Sequence, residues 1–398
     1  MSFFLLIVLI GAAASLFTAG CLYSKSMSTA KKIWIFAAVL FAWFAAFFPR
    51  LLERGDWLNP TAAGWIHNIG YYLFGTAFFL FSVLLLRNIV WYGVYGIGCL
   101  LKKPFARRIN PARPELRDKV NRVTLCAAFL ISFYAVYEGV KVADVKEIVL
   151  KTDKVEQPFT FVQLSDIHIH RGVSTKKIER LVERVNSLKA DAVLLTGDIG
   201  DDESADAGLI ARKLEKLNSR CGLFVVMGNH ELYNNYKMWD QVFQASGMRV
   251  LYNDGTALCR PDIFIGGVTD ASFRRIKNMS PDIARAMRRA APEQYRILMS
   301  HSPLPNGKDA PDQSEFFDLQ ISGHTHGGQI FPFHFLVKPV NKYLAGLYAP
   351  EGSDAKIYVS RGTGYWGPPM RLFAPSEITL FRILPLQAET SADDQRNR

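Results

Sequence analysis

The chain has 398 residues, more than one typical domain. Its formal charge of +11 is unevenly placed: residues 1–144 carry 15 basic and 6 acidic side chains and the remainder is close to balanced, so the basic excess does not indicate a nucleic-acid-binding face. Five cysteines with no CxxC pair exclude a dense disulfide framework and a thiolate zinc site, and leave only a Cys221–Cys259 pair open.

Residues 3–20 form an uncharged apolar run. With no basic stretch ahead of it, a cleaved leader is the poorer reading. Further apolar runs lie near 33–49, 70–90 and 123–140. A spanning helix needs about 17–25 residues, so the last run is marginal by length. Residues 1–144 are therefore expected to form a transmembrane region of about four helices. The first loop carries Lys25, Lys31 and Lys32, and the stretch 102–122 carries eight basic residues, among them Lys102, Arg107, Arg108, Arg113 and Arg122. Positive loops stay in the cytoplasm. With four spans, the rest of the chain then lies outside the cytoplasm. If the last run only lies in the interface, it is cytoplasmic. Four spans are the favoured reading: a multi-pass protein of the inner membrane with an extracytoplasmic domain.

From about residue 145 the pattern becomes one of alternating strands and helices. Short apolar runs predict strands near 159–165, 191–196, 222–227, 249–252, 262–267, 295–300, 317–322, 356–360 and 377–383. Ile178, Leu181, Val182, Val185 and Leu188 recur at helical spacing and predict a helix over 175–188 with Ser174 as its N-cap. Further helices are expected near 205–218, 236–246 and 281–290. The last carries Arg285, Arg288 and Arg289, a solvated basic face. The whole reads as an α/β sandwich over 145–385, followed by a polar tail at 386–398.

Six of the eight histidines fall in compact motifs, each directly after a predicted strand. The motifs are Asp166-Ile167-His168-Ile169-His170, Gly197-Asp198 to Asp202, Gly228-Asn229-His230-Glu231, His301 and Gly323-His324-Thr325-His326-Gly327-Gly328. Open α/β sheets build their sites at strand ends of this kind. Asp166, His168, Asp198, Asn229, His301, His324 and His326 are seven oxygen or nitrogen donors with no thiolate. One ion takes four to six ligands, so seven suggest two ions sharing one carboxylate. Imidazole, carboxylate and amide donors suit Mn, Fe or Zn. Two such ions clamp a phosphoryl group and make hydroxide available at neutral pH. His230 follows Asn229 and is free to face substrate rather than metal.

The set Asp-x-His, Gly-Asp-x-x-Asp, Gly-Asn-His-Glu, His and Gly-His-x-His resembles the calcineurin-like metallophosphoesterases, in the family's order, over about 158–384. Leu164 to His168, Gly323 to Gln329 and Val359 to Gly364 are similar to its membrane-associated bacterial branch, which includes some UDP-2,3-diacylglucosamine pyrophosphatases. The resemblance implies a four-layer sandwich of two mixed β-sheets flanked by helices. It implies one ion held by Asp166, His168, Asp198 and His326, and a second by Asp198, Asn229, His301 and His324. It implies His230 as the catalytic histidine, with Asp201 and Glu231 in support. His170 stays open between a cleft position and a solvated loop. Where the cytoplasmic pyrophosphatases of lipid A synthesis have Asn-Arg-Asp, this chain has Asn229-His230-Glu231. The expected function is a membrane-anchored dimetal phosphoesterase acting on a lipid-linked or envelope phosphate ester. The alternatives are the UDP-diacylglucosamine pyrophosphatase reaction and a non-catalytic membrane sensor or scaffold. Membrane lipid and the phosphate ester are the expected partners, with no nucleic acid.

Overall fold

Buried β-branched and aliphatic runs fix the positions of the strands, and the strands position everything else. The computed structural model describes residues 3–24, 27–48, 60–201, 205–274, 278–304, 307 and 313–386. Lys25, Asp202 and nearly all of the expected polar tail lie outside the described residues. Residues 1–137 with 367–370 form one compact unit, and residues 138–366 with 371–398 form another.

The first unit is helical: α1 (Phe3–Leu22), α2 (Thr29–Phe44), α3 (Pro60–Leu100), the single turn α4 (Phe105–Arg108) and α5 (Pro114–Val140). Among the described residues, three stretches, Thr29–Phe47, Ala62–Leu100 and Pro114–Val140, are long and apolar enough to cross a membrane; the described apolar part of α1 is Val8–Leu22. α3 has 41 residues. At about 1.5 Å per residue it is roughly twice as long as a bilayer core is thick. α5 begins at Pro114, so much of the basic stretch 102–122 is the first turns of a helix and not a loop. Trp43 packs edge-on against Phe74 and Phe81, with ring centroids 5.7 and 5.9 Å apart. Arg87 and Asn121 join α3 to α5 through a 2.6 Å hydrogen bond, and Asn121 donates to the Cys21 carbonyl of α1 at 3.0 Å.

The second unit holds two six-stranded mixed sheets. Its strands are β1 (Asp144–Thr152), β2 (Phe159–Leu164), β3 (Ala192–Thr196), β4 (Leu223–Val226), β5 (Met248–Val250), β6 (Asp254–Ala257), β7 (Ile263–Gly267), β8 (Tyr295–Met299), β9 (Leu319–Ser322), β10 (Gly346–Tyr348), β11 (Lys356–Val359) and β12 (Glu377–Pro385). The first sheet runs β1-β12-β2-β3-β4-β5 and the second β10-β11-β9-β8-β7-β6. In the first, β2 through β5 are parallel and only the β12–β2 pair is antiparallel.

Strand alternation sorts side chains between layers. Phe159, Phe161, Ala192 and Leu194 point between the sheets, where they meet Ile265, Ile297, Leu319 and Phe381. Phe161 and Phe381, partners in register, stack with ring centroids 4.5 Å apart. Val162, Leu164, Val193 and Leu195 point the other way, onto helices α6 (Thr175–Ser187) and α9 (Tyr236–Ala245). α6 buries Ile178, Leu181, Val182 and Val185 as its spacing predicts. Ser174 sits at its N-cap position in extended backbone, but its hydroxyl caps no amide. The second sheet's outer face covers Ile283, Ala286 and Met287 of the short helix α10 (Ile283–Met287). The result is the expected α/β sandwich of two mixed sheets flanked by helices. The helix expected over 205–218 is a short α-helix, α7 (Ala205–Ala211), followed by a 3₁₀ stretch, and that expected over 281–290 is five residues long.

Candidate metal centre

The loops that leave the C-terminal ends of β2, β3, β4, β8 and β9 carry the five motifs to one place. Asp166, His168, Asp198, His324 and His326 all have φ between 51° and 71°. That left-handed region is unfavourable for residues with a Cβ, by roughly 1–3 kcal/mol each, and such strain collects at functional sites. The loops also touch at van der Waals limits. A Cβ on Gly228 would lie 2.1 Å from Asp198 Oδ1, and one on Gly323 would lie 1.9 Å from Ser165 Oγ. Only glycine permits either approach.

Glu231, in the short helix α8 (Asn229–Tyr233), is fully buried and holds two of these loops together. Its carboxylate accepts from the amides of Asp198, Ile199, Gly200 and Gly228 at 2.5–3.0 Å. Burial and the neighbouring Asp198 push this carboxyl up to about 7, and the amide donors oppose that shift.

The imidazoles are set by their outer hydrogen bonds. His301 donates from Nδ1 to the Thr196 carbonyl at 2.9 Å. Its Nε2 then faces Asp198 Oδ2 at 3.1 Å, and Asn229 Oδ1 and His324 Nδ1 at 3.2 Å. His168 bonds Asp201 through Nδ1 at 2.8 Å and turns Nε2 toward His326 Nε2, 2.9 Å away. Asp166 Oδ1 lies 3.4 Å from that same His326 nitrogen, and it accepts from the His324 amide at 3.0 Å. Lone pairs so aimed at one another repel unless a cation sits among them, which is the arrangement a metal site requires.

Among the described residues, three groups of side chains can each hold an ion, with donor atoms within 4.8 Å of one another: Asp166, His168 and His326; His168, Asp198 and His230; Asp198, His301 and His324. His168 and Asp198 each occur in two groups, so the groups form one continuous cluster. These clusters fit a dinuclear divalent-metal site. Asn229 reaches it through His301. Asp201 lies beside it and bonds Nδ1 of both His168 and His230. His230 is more open, its side chain 18% exposed, with Nε2 3.9 Å from Asp198 Oδ2. His170 is buried, and its Nδ1 accepts from the Gly172 amide at 3.0 Å, so it is no solvated loop residue.

The charges follow the geometry. Burial disfavours ionised Asp198 and Asp201, but neighbouring histidines hold both well below the usual carboxylate range. Burial likewise opposes charge on His230, yet Asp198 and Asp201 push it up to about 9. Burial, with His168 and Arg371 beside it, holds His326 well below its ordinary value. Arg371 is the residue that motif reading misses. It is fully buried, donates to the carbonyls of Gly364 and Ala374 at 2.8 Å, and sets Nη2 3.2 Å from His326 Nδ1.

The sequence model of the calcineurin-like phosphoesterase family matches residues 159–328. An uncharacterized metallophosphoesterase of Helicobacter pylori is 35% identical over 276 residues, which is 69% of this chain and 73% of the relative. The chain belongs to the calcineurin-like phosphoesterases. An uncharacterized metallophosphoesterase of Campylobacter jejuni is 34% identical over 279 residues, 67% of this chain and 72% of that one. A transmembrane protein with metallophosphoesterase domain of Danio rerio is 31% identical over 314 residues, 75% of this chain and 71% of that one. A calcineurin-like phosphoesterase with these ligand clusters is a metal-dependent hydrolase.

Proposed function

We propose that this calcineurin-like phosphoesterase is a membrane-anchored dimetal enzyme that hydrolyses a lipid-linked or envelope phosphate ester. The observation that carries the reading is the sharing of Asp198 between the His168 and the His301–His324 groups. In this reading Asp166, His168, Asp198 and His326 hold one divalent ion, and Asp198, Asn229, His301 and His324 hold the other. When bound, such ions would neutralise the charge of a phosphate and make hydroxide available at neutral pH. Asp201 and Glu231 orient: Asp201 fixes the tautomers of His168 and His230, and Glu231 fixes the backbone around Asp198. His230 carries a proton on the open side of the cluster and delivers it to the departing oxygen.

Two features support a reading of the side of the membrane. The basic stretch 102–122 precedes α5, and α5, at 27 residues, is long enough to span. Cys221 and Cys259 form a disulfide, with Cα atoms 4.9 Å apart. Disulfides persist in oxidising compartments. Both favour an extracytoplasmic catalytic domain. They weigh against the UDP-2,3-diacylglucosamine pyrophosphatase reaction, which needs a cytoplasmic catalytic face.

The test uses the full chain in detergent with bis(4-nitrophenyl) phosphate. Turnover that needs Mn²⁺ or Zn²⁺, stops with chelator and is lost in Asp198→Asn is the expected result; metal-independent turnover, or none, rejects it. Reporter fusions near Pro111 and after Arg398 should report opposite sides of the membrane.

A further inference from the structure

The chain leaves His326 through Gly327 and Gly328, and these two glycines line a concave pocket of about 420 Å³. A Cβ on Gly328 would lie 2.4 Å from the Cβ of His334, and one on Gly327 3.0 Å from Cγ of Arg361. The glycines thus let both side chains close on the loop that carries His326. One wall is aromatic. Phe331 stacks on His334 with ring centroids 5.0 Å apart and meets Phe373 edge-on at 5.5 Å. Phe335 extends this wall, its ring 5.9 Å from Phe331. The opposite character comes from Lys338 and Arg361, and none of the described residues lining the pocket is acidic. Nη1 of Arg361 is tied to the buried Glu377 at 3.0 Å, which aims the guanidinium at a fixed angle.

Phe373 is 79% exposed and Phe335 63%. Phenylalanines clustered in the open beside a pocket mark a binding surface. A hydrophilic phosphate ester makes no use of them. A wholly apolar ligand makes no use of Lys338 and Arg361. The two together complement an anion with a hydrocarbon chain.

We propose that this pocket takes the hydrocarbon chain of an amphiphilic phosphate ester, with its anionic head toward Arg361 and the His326 loop. The substrate is then an anionic lipid. This inference rests on the phosphoesterase reading and names its substrate class.

The experiment compares methyl and dodecyl 4-nitrophenyl phosphate, the second below its micelle concentration, on the full chain in nanodiscs of zwitterionic lipid. Each buried methylene strengthens binding by roughly fourfold, so kcat/KM should favour the dodecyl ester by at least about tenfold. In Phe335→Ser/Phe373→Ser the dodecyl-to-methyl ratio should fall by about tenfold. Both side chains are exposed, so the variant keeps its fold. A wild-type ratio near one, or a dodecyl preference that the double variant leaves unmoved, overturns the pocket assignment. Turnover of neither ester overturns the phosphoesterase reading and this inference with it.

Discussion

His301 donates from Nδ1 to the carbonyl oxygen of Thr196 at 2.9 Å, and that bond dictates what the rest of the ring can do. A neutral ring so fixed offers only a lone pair at Nε2. That nitrogen faces Asp198 Oδ2 at 3.1 Å. Burial opposes charge on the ring, but Asp198 raises its pKa well above the ordinary value, which favours a second proton at Nε2 when no ion is bound.

Metal uptake must therefore displace a proton. A group protonated in the free protein and deprotonated in the bound one makes affinity rise with pH up to its pKa. The apparent dissociation constant for Mn²⁺ should fall by about tenfold per pH unit, below the raised pKa of His301, for each proton released. Calorimetric titration in two buffers of different ionisation enthalpy counts that proton. An affinity flat in pH contradicts the arrangement.

Asp198 is the next test. Its Oδ1 accepts from the His230 amide at 2.9 Å and its Oδ2 faces His301. Asp198→Asn keeps the size but removes the charge shared by two ligand groups. Both ions should be lost and activity abolished, whereas His326→Ala should weaken mainly one ion. Elemental analysis that still finds two ions per Asp198→Asn chain removes the shared-carboxylate model.

Much of the catalytic fold was legible because its signals are local. β3 is a run of five buried residues, and the loop after it carries Gly197-Asp198. What escaped was non-local. β1 alternates between exposed and half-buried residues and includes Lys146, Glu147 and Lys151, so it reads as surface. It becomes a strand because β12, more than 200 residues away, pairs with it in parallel over nine residues. The full length of α3 was hidden by His67 and Asn68 near its start and by Gly93, Gly96 and Gly98 near its end. In the site, residue types announced the candidate donors. They did not announce the left-handed backbone of Asp166 or His168, since neither type demands it. Arg371 gave no signal either: it follows Gly367-Pro368-Pro369-Met370 and belongs to no motif.

Glu231→Gln separates loop architecture from ligation. Each carboxylate oxygen accepts two backbone amides, and the substituted amide turns two of these four contacts into donor facing donor. Unsatisfied buried donors of this kind should destabilise the domain by about 2–4 kcal/mol. Thermal unfolding of the full chain should shift down by several degrees, and metal content should fall although no ligand has changed. An unaltered midpoint contradicts the clamp.

The disulfide offers the opposite dissociation. Cys221 lies just before β4, at the strand end remote from Asn229, and it closes a loop of 38 residues with Cys259. Loop entropy alone predicts a loss of roughly 4 kcal/mol on its removal. Cys221→Ser/Cys259→Ser should therefore unfold at a lower temperature while kcat, measured well below that temperature, stays the same. A large fall in kcat of the folded variant contradicts the remoteness of the bridge.

His230 poses the sharpest question, because its place admits two roles. With His168 and Asp198 it forms a group able to hold an ion, and its Nδ1 is engaged by Asp201. Its greater exposure and the 3.9 Å separation of Nε2 from Asp198 Oδ2 favour a proton donor facing substrate. A positioned general acid contributes roughly 10²–10⁴-fold. His230→Ala should keep two ions per chain while kcat falls by about that factor. Proton delivery matters less as the leaving group becomes more acidic. The loss should thus shrink for 4-nitrophenyl esters and grow for alkyl esters. Equal losses for both classes would assign His230 to stabilising charge on phosphorus. Loss of an ion together with activity would make His230 a ligand, and the ligand set around Asp198 would have to be redrawn.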